Sequence, residues 1–333
     1  MLGKIMVEDI FILYSIKNRV IVRYKTLIFC ILNNGGKKVI ADEMNTKLEF
    51  QNKKQLNYIS VIIPVYKDFI GLEETLKSLK QQTIPEEDYE IIVANDGADK
   101  RITKICDKYN VKMVSISPNQ GSYNARNRAI ELSKGEYLAF VDSDITVVRD
   151  WLGKGKKALE RFDYVAGDVI IDKSKINNTA HYYEYYYEFP INHYMHRRHF
   201  GVTANLFVKR KVFEELGGFD KRLRSGGDLE FGNRVYISRK FKQVYKKEVR
   251  VIHPPRGYKA LIKKMKRVTE GHIKLSELYP NRFQKPRLLE NLHSISVHSP
   301  HKRLNEGHVT ELKMFLFASL LRLVRCYHLA KHR

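Results

Sequence analysis

The sequence predicts an α/β fold in which helices flank a mainly parallel central sheet, and two observations predict it. Short apolar runs alternate with amphipathic segments of about ten residues, the rhythm of strand–helix–strand units. Polar clusters then follow three of those runs directly, at Pro64 to Asp68, Asn95 to Asp99 and Asp142 to Asp144. Ligands of such sheets lie outside the carboxyl ends of the strands, so the clusters fall where a site is expected.

Each element has its own signal. Residues 1–57 read as an N-terminal extension, taken as helical, closing in a polar linker from Asp42 to Asn57. Tyr58-Ile-Ser-Val-Ile-Ile-Pro64 has the unbroken apolar character of a strand buried on both faces. Leu72, Leu76 and Leu79 recur at helical spacing, with Asp68 as a start signal. Tyr89 to Ala94 is a second buried strand, Ile102, Ile105, Cys106 and Tyr109 a second helical stripe, and Val111 to Ser115 a third strand. Ser122 to Ser133 reads as a third helix and Tyr137 to Val141 as a fourth strand. Further on, strands are expected at Tyr164 to Ile171, Gly201 to Val208 and Gln243 to Ile252. Helices are expected at Lys211 to Leu216, at Leu229 to Ser238 and from Tyr258. The organisation expected is an extension (1–57), a main domain (58–255, its nucleotide-binding half 58–150 and its acceptor half 151–255) and a basic helical C-terminal region (256–333).

Composition narrows the function. In 333 residues, 43% are hydrophobic and 20 are Tyr, which excludes a disordered chain and supports a sizeable core. The net charge of +23 suits an anionic partner such as nucleic acid, a phosphorylated substrate or an anionic leaflet. Cys30, Cys106 and Cys326 are too scattered for a metal motif or a disulfide framework, which fits a reducing cytoplasmic compartment. No cleavable signal is evident, and no segment reaches the roughly 18–20 uncharged apolar residues that span a bilayer.

Chemistry concentrates at the strand ends. Asp142 and Asp144, after Tyr137-Leu-Ala-Phe-Val141, form either a solvated turn or a seat for one hard divalent cation that keeps substrate phosphates in its shell. Asn95-Asp-Gly97 is either a plain turn or a carboxylate meeting a base or ribose. Asn119-Gln-Gly121 opens a helix whose N-terminus favours an anion, and Arg126 is a candidate partner for a diphosphate or for a surface acid.

These motifs, in this order, resemble family 2 glycosyltransferases: Val61-Ile-Ile-Pro-Val-Tyr66, Ile91-Ile-Val-Ala-Asn-Asp-Gly97, Asn119-Gln-Gly121 with Ala125-Arg-Asn127, and Ala139-Phe-Val-Asp-Ser-Asp144. Gly217-Gly-Phe-Asp220 and Gly227-Asp-Leu-Glu-Phe231 extend the likeness, which spans about Tyr58 to His253. The resemblance implies a GT-A fold with a Rossmann-like nucleotide-binding half, and an inverting enzyme that needs Mn2+ or Mg2+. It implies Pro64, Tyr66 and Asp68 beside the base and ribose, Asp96 on the base, Asn119 and Arg126 near the nucleotide-sugar, and Asp142 on the ribose or metal shell. It implies Asp144 and His253 as metal ligands and Asp228 as catalytic base, although Gly227 stands where that family commonly has an acid. Glu230 is the fallback base on the acceptor side, and Asn205 resembles an acceptor position.

The expected partners are a nucleotide-sugar donor, a UDP-sugar above others, and a saccharide or lipid-linked acceptor of surface polysaccharide or glycolipid synthesis. His181-Tyr-Tyr-Glu-Tyr-Tyr-Tyr187 lines an acceptor or, more commonly for such a cluster, packs. The apolar segment 309–332, with basic residues around it, suits an anionic membrane interface on the cytoplasmic side or packing on the domain. A nucleotidyltransferase would need a glycine-rich phosphate loop after the first strand, and Val65-Tyr-Lys-Asp-Phe69 is not one. A nucleic-acid binder rests on charge alone, so no nucleic acid is expected.

Overall fold

A computed structural model describes residues 11–16, 19–24, 27–32, 55–287 and 306–331. The chain divides into two compact units, Met1–Lys54 and Gln55–Arg333. The first holds an antiparallel meander of β1 (Phe11–Ile16), β2 (Arg19–Tyr24) and β3 (Leu27–Leu32). This corrects the expectation of a helical N-terminal addition. The runs are rich in Ile, Val, Phe and Tyr and only two residues separate them, which suits paired strands. The expected linker lies outside the described residues as far as position 54, and the next strand begins at Gln55.

The second unit follows the predicted alternation: β4 (Gln55–Val65), α1 (Phe69–Leu79), β5 (Tyr89–Asp96), α2 (Lys100–Tyr109), β6 (Lys112–Ile116), α3 (Ser122–Leu132), β7 (Gly135–Val141) and a short β8 (Thr146–Val147). After these come α4 (Trp151–Arg161), β9 (Tyr164–Ile171), α5 (Thr179–Tyr187), α6 (Ile191–Arg198), β10 (Asn205–Lys209), α7 (Arg210–Leu216), α8 (Gly227–Ser238), β11 (Gln243–His253), α9 (Tyr258–Leu278) and α10 (His308–Lys331). The expected strand from Gly201 starts four residues later, since 201–204 form a turn before Asn205 enters the sheet.

The eight strands of the second unit lie in the order β6-β5-β4-β7-β10-β9-β11-β8. Pairings β4–β5, β4–β7, β5–β6 and β9–β11 are parallel, whereas β10 runs against both β7 and β9, and β8 against β11. Because β10 reverses direction twice over, β9 and β11 point the same way as β4 to β7. The carboxyl ends of β7 and β11, and with them Asp142 and His253, therefore arrive at one edge of the sheet.

The predicted periodicities are the buried faces. Leu72, Leu76 and Leu79 of α1 are fully buried, each contributing roughly 1.5–3 kcal/mol relative to exposure. Asp68 caps that helix by accepting from the Gly71 N–H at 3.0 Å. On the same face α4 lies so close to β10 that a Cβ on Gly155 would sit 2.2 Å from the Phe207 ring. Trp151 meets the same ring edge-on, centroids 4.7 Å apart.

Helix α10 corresponds to the predicted apolar segment. Phe317, Ala318 and Leu321 pack with Tyr183 of α5 and Leu261 of α9 in a small second core. Its other face leaves Leu312, Phe315, Leu316, Leu320 and Leu323 exposed. Among the described residues no helix is long and apolar enough to cross a membrane.

Candidate active site

A cleft of about 760 Å³ opens along the carboxyl edge of the sheet, and Pro64, Arg126, Asp142, Asp144, Arg256 and Asp228 all line it. The turn Asp142-Ser-Asp144 is held from α1. Ser143 Oγ donates to Asp68 Oδ2 at 3.1 Å, Thr75 Oγ1 donates to the Ser143 carbonyl at 2.8 Å, and the Ile145 N–H donates back to Thr75 Oγ1 at 3.1 Å. Asp68 thus caps a helix and anchors the acidic turn, and Tyr66 is half exposed with its ring over Gly97. Arg126, only 2% exposed, donates to Asp142 Oδ1 and orients that carboxylate.

Asp144 lies in the cleft wall with its side chain 35% exposed. Burial first, and then the charge of Asp142, push its carboxyl up to about 6. His253, 1% exposed at the end of β11, holds Nε2 3.5 Å from Asp144 Oδ2. Its Nδ1 lies against the Pro254 carbonyl, which only accepts, so Nδ1 carries the proton and Nε2 presents a lone pair. Burial and the nearby Arg256 push the imidazole down to about 3, so it is neutral. With Asp144 ionised, two acceptors face each other, and the buried Nε2 has no hydrogen-bond partner among the described residues. Among the described residues no three His, Cys, Asp or Glu side chains form a complete metal cage. The orphaned Nε2 and the facing carboxylate nevertheless fit a divalent cation that takes its remaining ligands from phosphate and water.

Arg256 stands 3.9 Å from Asp144, and Glu184 holds it. Glu184 is fully buried and accepts from Arg256 Nη1 at 2.7 Å. Glu184 belongs to the tyrosine-rich run, whose rings pack: Tyr183 stacks on Tyr187 at 5.1 Å and meets Phe317 edge-on. The run therefore reaches the site through its one acid rather than through aromatic faces.

Asp228 sits in the first turn of α8. Tyr123 Oη donates to its Oδ1 at 3.1 Å, and the Leu229 N–H donates to the same oxygen at 2.9 Å. Among the described residues nothing donates to Oδ2. Burial holds the carboxyl above the ordinary carboxylate range, against the pull of those two hydrogen bonds and of Arg126.

Three expectations change. Asp96 is 2% exposed and accepts from Asn119 Nδ2 (2.7 Å), the Gln120 N–H (2.7 Å) and the Gly121 N–H (2.8 Å). It orders the loop ahead of α3, and one remaining lone pair on Oδ1 is all that is left for a base. Of the backbone donors ahead of that helix, those of Gln120 and Gly121 already serve Asp96. Asn119 completes the latch by accepting from Arg224 Nη1 at 2.9 Å. Asn205 does not face an acceptor. It is fully buried, accepts from Trp151 Nε1 at 2.9 Å and donates to the Asp168 and Val249 carbonyls, knitting β10 to α4, β9 and β11. Glu230, two residues beyond Asp228 on α8, points the other way. It is 1% exposed and paired with Arg234 and Arg282 at 2.8 Å each, so it is no fallback base. Tyr123, Thr75, Glu184 and Arg256 escaped the sequence reading, because single residues far apart in the chain leave no local pattern.

Comparison with known proteins agrees with this geometry. A family model described as Glycosyl transferase family 2 matches residues 60–217. Glycosyltransferase AglE of Haloferax volcanii is 31% identical over 227 residues, covering 66% of this chain and 74% of AglE. The fold is shared with mannosyltransferase PcManGT from Pyrobaculum calidifontis, solved in complex with GDP-Man and Mn2+, at a TM-score of 0.52 with 14% identity, covering 89% of this chain and 83% of that one. It is also shared with S. aureus TarS 1-349 in complex with UDP-GlcNAc, at a TM-score of 0.50 with 16% identity over 80% and 90% of the two chains.

Proposed function

Because the chain belongs to glycosyl transferase family 2 and is a glycosyltransferase of GT-A fold, we propose that it inverts the anomeric centre of a UDP-sugar while transferring the sugar to a hydroxyl, with Mn2+ or Mg2+ as cofactor. The acceptor is a saccharide or a lipid-linked saccharide of surface polysaccharide or glycolipid synthesis. The observation that carries the reading is one cleft lined by both Asp144, with the lone pair of His253 beside it, and Asp228, with Oδ2 open.

Each residue then has a task. Pro64 and the loop latched by Asp96 border the nucleoside end. Arg126 keeps Asp142 turned toward the ribose or the metal shell. Asp144 and His253 hold the divalent cation, which when bound draws off the negative charge that grows on the leaving diphosphate. Arg256, fixed by Glu184, adds a cation at the same end. Asp228 takes the acceptor hydroxyl's proton on Oδ2 while Tyr123 and the Leu229 N–H hold Oδ1 still. The acceptor oxygen attacks from the face opposite the diphosphate, so the anomeric configuration inverts and no enzyme nucleophile is needed.

The outward apolar row of α10 and the net charge of +23 support a peripheral seat on an anionic, cytoplasmic membrane face.

The test is a thermal-shift screen of UDP-, GDP- and CMP-sugars with Mn2+ or Mg2+, followed by transfer assays. One UDP-sugar is expected to stabilise the chain above all others. Asp228→Asn is expected to bind it unchanged and to transfer about 10²–10⁴-fold more slowly. A GDP-sugar winning the screen would replace the donor, and full transfer by Asp228→Asn would overturn the base.

A further inference from the structure

Several cations surround the cleft, and Arg126 is answered there by Asp142. Arg256 and Lys264 are answered by acids: Glu184 at 2.7 Å from the first, Glu188 at 2.7 Å from the second. Arg198, at the end of α6, and Arg325, on α10, have no carboxylate within ion-pair distance among the described residues, and neither have Arg224 and Arg267, which reach Asn119 and Ser225 instead. His272 of α9 lies between Arg198 and Arg325 in charge terms. Arg325 Nη2 donates to its Nδ1 at 3.4 Å, so the imidazole's proton sits on Nε2 and makes it a further donor. Burial first, then Arg325 and Arg198, push His272 down to about 3, so the ring is neutral. Burial also lowers both guanidiniums from their ordinary values.

Arg198 is exposed, whereas Arg325 is half-buried, and a guanidinium held half out of water gains from an anion that meets it. The Nε of Arg325 is buried and has no hydrogen-bond partner among the described residues. Arg198, His272 and Arg325 also line a second cavity of about 820 Å³, so they form the partition between it and the cleft. Leu229, the residue after Asp228, lines both spaces, and the charge of Asp228 is felt at Arg198. The partition is built by α6, α9 and α10, whereas Asp142 and Asp144 follow β7. Leu229 places the partition beside the base.

We propose that Arg198, His272 and Arg325 form a second anion seat, which holds a phosphate group of the acceptor beside Asp228. The assignment rests on the donor and base reading given above. A phosphate offers several acceptor oxygens in the geometry a guanidinium fork matches, and neutral His272 adds a donor without adding charge. A purely neutral sugar acceptor would leave the two guanidiniums unpaired. The phosphate could belong to a lipid headgroup or to a soluble phosphate ester, and the chemistry of the seat is the same for both.

The experiment uses the full chain loaded with UDP and Mn2+, so that the donor end is filled, and measures binding of geranyl phosphate, geraniol and glycerol 3-phosphate by calorimetry. At least one phosphate ester is expected to bind about tenfold or more tightly than geraniol. Arg198→Gln and Arg325→Gln are each expected to weaken it about tenfold or more, and Arg325→Lys to recover part of the loss. Geranyl phosphate binding far better than glycerol 3-phosphate identifies a lipid source, and the reverse a soluble one. UDP affinity, measured in every variant, reports that the fold is intact. Equal binding of geraniol, no binding of either ester, or full binding by both Gln variants overturns the seat. Failure of UDP to bind overturns the donor reading instead, and the same titrations on the unloaded chain still decide the seat.

Discussion

Tyr123 and Asp228, 105 residues apart, are joined by a 3.1 Å hydrogen bond from the phenol to Oδ1. The bond ties α3, which follows the nucleotide-side loop, to the first turn of α8. It also leaves Oδ2 as the oxygen open to a proton.

Removing that phenol has a signed consequence. The bond favours the ionised form of Asp228, opposing the burial that raises its pKa. Tyr123→Phe therefore raises the pKa further. The base works only when ionised, so activity is lost as the pH falls through that pKa. The acid limb of the kcat/KM profile is expected to lie above about pH 4 in the wild type and to move upward in Tyr123→Phe, with kcat down about tenfold near the limb. An unmoved limb would detach Tyr123 from the base.

Metal dependence is expected to run through Asp144 and His253. Chelation should stop transfer, and His253→Ala should raise the Mn2+ concentration needed for half activity about 10–100-fold. Asp144→Ala should be at least as severe. A metal titration of transfer checks this, and undiminished activity after chelation would sink the assignment.

The Asp96 latch makes a prediction about stability. In Asp96→Asn an amide N–H is set against backbone N–H donors at Gln120 and Gly121, and the charge-assisted bonds are lost. A loss of about 1.5–3 kcal/mol is expected in denaturant melts without any nucleotide. An unchanged midpoint would mean that the latch does not order the loop in solution.

Asp220 supplies a pH-dependent part of the stability. Burial pushes its carboxyl up, but hydrogen bonds from Arg222 and Tyr279 outweigh burial and hold it down to about 2. A lowered folded pKa means that the stabilisation is complete above the unfolded value of about 4 and fades as the pH falls through about 2. The Tm gap between wild type and Asp220→Asn is therefore expected to be largest from pH 5 to 7 and to close toward pH 2. A gap that ignores pH would exclude the ionic contribution.

The outward row of α10 is expected to hold the chain on vesicles containing phosphatidylglycerol. Because Leu316 and Leu320 are exposed, Leu316→Asp combined with Leu320→Asp should keep the Tm and abolish co-sedimentation. Equal sedimentation of the variant would mean the row is not the contact.

The amino-acid sequence by itself determined the strand–helix alternation, the edge on which the polar clusters gather, and the pairing of Asp142 with Asp144 at the end of one strand. These are local properties: periodicity, an apolar run, and turn residues directly after it. It also located Asp228 at the start of a helix and His253 at the end of a strand. It misread residues whose role is set by partners distant in the chain. Asn205 sits one step inside the sheet and Glu230 on the opposite side of α8 from Asp228, and both are consumed by buried partners. Packing alone turned the Nε2 of His253 toward Asp144 and set Tyr123 on Asp228. A side chain's charge state and free valences depend on which groups the folded chain brings within a few ångströms, and spacing along the sequence carries no record of that.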